Sequence, residues 1–107
     1  MKLELRARGV RMTDKLKTHI ETRLRNGFGR FGDKIEHVRV YLTDLNGPKG
    51  GEDIQCHLQA KFSPGGELVI RETRGDPFAA VAYASKRASR NLRRQLGRWK
   101  MRRKGRS

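Results

Sequence analysis

The sequence predicts an α+β domain, a four-stranded sheet with two helices packed on one face, in the order β-α-β-β-β-α. Three observations predict it. Four segments alternate apolar and polar residues with a period of two, two longer segments carry apolar residues at helical spacing, and turn-forming clusters separate them. With 107 residues there is room for one domain. The economical packing buries one face of the sheet under both helices and leaves the other face polar.

From Lys2 to Arg8, Leu3, Leu5 and Ala7 alternate with Lys2, Glu4, Arg6 and Arg8, the pattern of a half-buried strand. Thr13 then supplies a helix N-cap with Asp14 in the first turn, and Leu16, Ile20, Leu24, Phe28 and Phe31 follow on one face. A first helix is expected over Thr13 to Phe31, weakened at its end by Gly27, Gly29 and Gly32.

Val38, Val40 and Leu42 form one alternating strand, and Ile54, Cys56, Leu58, Ala60 and Phe62 another, joined through the turn-rich stretch Asn46 to Gly51. Matching inward residues across this hairpin sets Leu42 near Cys56 and Val40 near Leu58. A reversal at Ser63-Pro64-Gly65-Gly66 leads into a shorter strand, Leu68 to Arg71. Asp76-Pro77 opens the second helix, an acidic cap followed by a proline whose missing N–H costs nothing at the first helical position. Its stripe of Phe78, Val81, Ser85, Ala88, Leu92, Leu96 and Trp99 predicts a helix from Pro77 to about Trp99. Residues 1–99 then make the domain, and 100–107 a basic tail expected to stay disordered until it meets a polyanion.

Charge narrows the function. The formal net charge is +15, from 26 Lys and Arg against 11 Asp and Glu. Beyond Asp76 there is no further acid, while Lys86, Arg87, Arg90, Arg93, Arg94, Arg98, Lys100, Arg102, Arg103, Lys104 and Arg106 follow. Such a concentration points to a polyanionic partner, nucleic acid first. The alternative, a solvated basic face that only keeps the protein soluble, ordinarily intersperses acids among its bases. Arg87, Arg90, Arg94 and Arg98 are expected along the side of the second helix away from its apolar stripe, with Lys86, Arg93 and Lys100 on one flank. Most of these bases are arginine, whose planar fork holds two phosphate oxygens at once. Lys15, His19, Arg23 and Arg30 on the first helix extend the surface, diluted by Asp14 and Glu21. A basic row with few aromatics suits structured RNA, read by shape and phosphate, better than single strands, whose readers present stacking rings.

Other classes find little support. A lone cysteine, Cys56, excludes an internal disulfide and fits a reducing cytoplasm. No apolar run approaches the roughly 18 residues of a membrane span, and Met1-Lys2 leads straight into a strand-like pattern, so a signal peptide is not expected. His37 and His57 both fall on the open sheet face, but the register puts Tyr41, not His37, opposite His57, so no metal pair forms. Cys56 faces inward, and Glu52, Asp53 and Glu67 are not poised as an acid/base couple. No cofactor, metal or small-molecule substrate is implied, although a small hydrolase built on His57 remains a formal rival.

Val10-Arg11-Met12-Thr13-Asp14 with Leu16, the strand Val38-Arg39-Val40-Tyr41-Leu42, and Gly75-Asp76-Pro77-Phe78-Ala79-Ala80-Val81 followed by Arg87, Arg90 and Leu92 resemble the ribosome hibernation-promoting factors, or ribosome-associated inhibitors, over residues 1 to about 98. The resemblance implies this same β-α-β-β-β-α fold, in outline that of a double-stranded RNA-binding domain. It also implies a cytoplasmic protein that binds the small ribosomal subunit and its ribosomal RNA, occludes the messenger and transfer RNA channel, and silences translation under stress or in stationary phase. Ala82 and Ala88 depart from the Asp and Leu frequent in that family, and the glycines ending the first helix are atypical. The basic tail in place of a further domain makes the chain look like a short form, expected to be monomeric off the ribosome. The site residues so assembled are Lys86, Arg87, Arg90 and Arg94 as principal phosphate contacts, Arg93 and Arg98 next, and Arg23 and Arg30 in support. A general duplex-RNA binder or ribosome-assembly module without regulatory action is the alternative.

Overall fold

A computed structural model of the chain describes residues 1–46, 53–63 and 65–105, with side chains described as far as residue 97. The expected turns at Asn46 to Gly51 and around Pro64 lie largely outside the described residues, as does the end of the expected tail, residues 106–107.

Strand β1 (Lys2–Arg8) leads to helix α1 (Asp14–Phe28), and a 3-10 segment, Gly29–Lys34, connects it to β2 (Ile35–Asp44). Strands β3 (Ile54–Phe62) and β4 (Gly66–Arg74) follow, then helix α2 (Pro77–Gly105). The sheet order is β1-β2-β3-β4, with β1 parallel to β2 and the remaining neighbours antiparallel. The parallel pair is the reason α1 lies between β1 and β2 in sequence, since a parallel connection must cross back over the sheet.

Both helix starts follow their caps. The Thr13 hydroxyl accepts from the Leu16 N–H at 3.1 Å, and the Asp76 carboxylate accepts from the Ala79 N–H at 2.9 Å. The hairpin register matches the expected one, with Leu42 opposite Cys56, Val40 opposite Leu58, and Tyr41 opposite His57. A single core then forms from the inward strand residues, Leu16, Ile20, Leu24 and Phe28 of α1, and Val81, Ala88, Leu92 and Leu96 of α2. Ala80 and Ala84 are also fully buried, and their small side chains let α2 lie close to the sheet.

Three boundaries differ from the sequence expectation. The α-helix of α1 stops at Phe28, not Phe31, and the glycine-rich continuation tightens into the 3-10 segment, where Phe31 has φ −112° and ψ 15°. Strand β4 is not short but spans nine residues, as long as β3. Its continuation was hidden because Glu72 occupies an inward position where alternation calls for an apolar residue. The α2 backbone continues helical to Gly105 instead of ending near Trp99.

Candidate RNA-binding groove between the helices

Helices α1 and α2 meet along a seam of small residues. The Ser89 hydroxyl donates to the Gly27 carbonyl at 2.7 Å, and a Cβ built on Gly27 would stand 3.4 Å from the Ser89 Cβ. At the other end of the seam, His19 Nε2 lies 3.0 Å from the Phe78 carbonyl oxygen, with the two rings edge to face at 5.0 Å. Early residues of α1 therefore meet early residues of α2, and late residues meet late ones, so the helices run side by side in the same direction.

Above this seam a groove of about 360 Å³ opens to solvent. Its floor is small and polar, made by Gly27, Ala82, Ser85 and Ser89, and its walls carry Arg23, Asn26, Lys86, Arg90 and Arg93. Ser85 is buried and donates to the Val81 carbonyl at 2.7 Å, so its hydroxyl closes on its own helix. Among the described residues no carboxylate lines the groove. Four cations facing one trough, with hydroxyl and amide groups below them, make a surface that attracts phosphate and offers many N–H donors to it.

Not every expected contact gathers here. On α2, Lys86, Arg90 and Arg93 fall within about 60° of one another around the helix, Arg94 stands about 40° beyond Arg90 at the edge of that row, and Arg87 is turned about 100° from Lys86. Arg87 reaches β4 instead, where it pairs with Glu72 at 2.6 Å and donates to the Arg71 carbonyl at 3.0 Å. Arg74 holds the other Glu72 oxygen at 2.7 Å and stacks over the Tyr83 ring, 4.2 Å from its centroid. The bases of α2 thus divide, with Lys86, Arg90 and Arg93 lining the groove and Arg87 drawn to the sheet. Arg30, in the 3-10 segment, does not line the groove, and the side chains of Arg98, Trp99 and Lys100 lie outside the described residues. His19, expected among the bases, is engaged with Phe78. Sequence reasoning missed the floor, although Ser85 and Ser89 stand one helical turn apart, with Gly27 to face them.

Elsewhere the chemistry is sparse. Cys56 is fully buried, and burial, helped by the Glu72 charge, pushes its thiol up to about 12. His37 lies opposite Lys61, 3.9 Å from Glu4, away from His57. No cluster of His, Cys, Asp and Glu fit to hold a metal occurs among the described residues, and no helix among them is long and apolar enough to cross a membrane. A larger cleft of about 850 Å³ lies between β1 and α1, lined largely by Met1, Leu3, Leu5, Leu24 and Phe28.

The fold and much of the sequence have known counterparts. The N-terminal domain of Protein Y from Thermus thermophilus superposes with a TM-score of 0.73 at 25% identity, over 88% of this chain and 98% of that one. A ribosomal subunit interface protein from Coxiella burnetii shares the fold with a TM-score of 0.69 at 17% identity, over 94% of this chain and 99% of its own. No curated protein matches the chain. The family model described as sigma 54 modulation protein / S30EA ribosomal protein matches residues 3–100, nearly the whole chain, and to that family the chain belongs.

Proposed function

We propose that this chain binds the small ribosomal subunit through the groove between α1 and α2 and, by standing where messenger and transfer RNA would lie, holds translation silent during stress. The family is one of non-enzymatic ribosome-binding factors, which sets the partner as the ribosome and the compartment as the cytoplasm. The observation that carries the reading is the groove itself, where Arg23, Lys86, Arg90 and Arg93 converge without an opposing carboxylate among the described residues. Ribosomal RNA is the polyanion a ribosome offers, and a trough lined by guanidinium forks grips its phosphates by charge and shape without reading sequence. Occlusion needs no chemistry, only occupancy. Arg94 at the edge of the groove row, Arg87 on the sheet side, Arg30, and Arg98 with the basic residues beyond it are secondary contacts in this reading.

The test is co-sedimentation of the protein with ribosomes and with separated subunits, beside an equimolar random RNA duplex, at low and moderate salt. Retention on the small subunit in preference to the duplex, lost in Arg90→Glu, is the expected result, and a translation assay with the same pair of proteins should show inhibition only by the wild type. Equal binding to subunit and duplex would instead make the chain a general duplex-RNA binder.

A further inference from the structure

The side of the sheet turned away from both helices is not a uniformly solvated surface. Register places Arg6, Tyr41, His57 and Arg71 in one row across all four strands. Tyr41 and His57 are direct partners in an antiparallel ladder, so their Cβ atoms stand about 5 Å apart and both side chains rise from the same face. Burial, with the nearby Arg71 charge, lowers the His57 pKa and keeps that ring neutral at pH 7. Two residues further along the same strands, roughly 7 Å away, a notch of about 50 Å³ is lined by His37, Arg39, Gln59 and Lys61. Each of those side chains carries an N–H donor; Arg39 is paired with Glu4 and Gln59 donates to Glu67, which leaves Lys61 as the cation of the notch without an acidic partner among the described residues.

The charge of the face agrees with its shape. Lys2, Arg6, Arg8, Arg39, Lys61 and Arg71 stand on it against Glu4, Glu67 and, at the bulge that opens β2, Glu36, which accepts from the Ser63 hydroxyl. Glu4 is held by Arg39 at 2.7 Å and by Arg6 at 3.2 Å, and Glu67 accepts from the Gln59 amide. Arg8, Lys61 and Arg71 have no acidic partner among the described residues. Rings flanked by bases and by a donor-lined notch are the elements of a single-strand reader, in which bases stack and phosphates are held beside them. A broad sheet cannot enter the narrow major groove of duplex RNA, whereas splayed bases can lie flat on it. An acidic peptide would use the charge but not the paired rings.

We propose that this open face is a second RNA site, which takes a single-stranded segment with bases stacked on Tyr41 and His57 and phosphates at Lys61, on the rim of the notch, and at Arg71. It is separate from the inter-helix groove. With the sheet between them the two sites face opposite ways, so one chain grips two RNA segments at once and ties them together.

Fluorescence anisotropy with a labelled oligouridine of about eight nucleotides, beside a labelled RNA duplex of about 16 base pairs, tests this. The double variant Tyr41→Ala with His57→Ala should weaken oligouridine binding roughly tenfold or more and leave the duplex unaffected, while Arg90→Glu should do the reverse. Lys61→Gln with Arg71→Gln keeps both rings and perturbs the core less; it should weaken oligouridine binding and flatten its salt dependence by one to two units of slope, roughly one for each phosphate no longer neutralised. Unchanged oligouridine binding in this charge variant, or mutual displacement of the two RNAs with both lost in Arg90→Glu, overturns the proposal. Ribosome retention is not part of the readout, so the two readings fail separately.

Discussion

Glu72 shows how one side chain redistributes the work of its neighbours. Its carboxylate, only 10% exposed, is held by two guanidinium groups, so Arg87 and Arg74 are structural before they are anything else. Removing one partner of such a pair costs more than the pair contributes, because the buried charge loses part of its compensation. Arg87→Ala is therefore expected to lower stability by about 1–2 kcal/mol in a denaturant melt and to weaken RNA binding less than Arg90→Ala does. Cys56 behaves oppositely, as a group that does nothing until the fold opens. With its thiol pushed up to about 12, the thiolate fraction at pH 8 is on the order of one in ten thousand, so a thiol reagent at that pH should modify it only on unfolding. His57 gives the acid side of the stability profile. Its folded pKa lies below the ordinary histidine value of 6.5, so the unfolded chain binds the proton more readily. The stability this contributes is fully present above about pH 6.5 and is lost as pH falls toward the folded pKa. His57→Gln should accordingly show a shallower fall in Tm than the wild type between pH 7 and 5.

At the scale of elements the seam between α1 and α2 decides the site. Gly27 has no left-handed backbone to justify it; its role is closeness, since a side chain there would meet Ser89. Alanine at this position adds helix propensity worth up to about 1 kcal/mol while its methyl group sits in ordinary contact with Ser89, so Gly27→Ala should raise the melting temperature slightly. Gly27→Leu has no room for its branch except by parting the helices or filling the groove. It is expected to cost about 1–3 kcal/mol and to weaken RNA binding together with stability, which thermal melts and anisotropy on the same sample will read. The 3-10 segment after α1 has a related effect, for it carries Arg30 away from the trough that Arg23 enters.

Across the whole molecule the charge of +15 sets the salt dependence. Four groove bases neutralising one phosphate each predict a slope of log affinity against log salt near −3.5, and six contacts, as Arg87 and Arg94 join, a slope near −5. A titration of duplex binding between low and moderate salt distinguishes these, and Arg90→Glu should make the slope shallower by at least one unit. A slope near zero would mean that charge is not what binds. The two faces of the layer differ in kind as well as in charge: a narrow cationic trough on the helix side, and a flat row of rings and bases on the open side.

Sequence by itself determined the order of elements, both helix caps, the hairpin register and most of the core, because these rest on local periodicity and on matching inward faces across a ladder. It also determined the excess of unopposed bases on α2, since charge is carried by residue type alone. What only the tertiary structure decided was which of those bases act together. Helical spacing orients a side chain to within a quarter turn but does not say what stands beside it. The close approach at Gly27 brings Arg23 across to Lys86, Arg90 and Arg93, and the inward turn of Glu72 draws Arg87 toward the sheet. Contacts between elements far apart in sequence depend on where packing places them, and only the assembled layer of helices on sheet sets that.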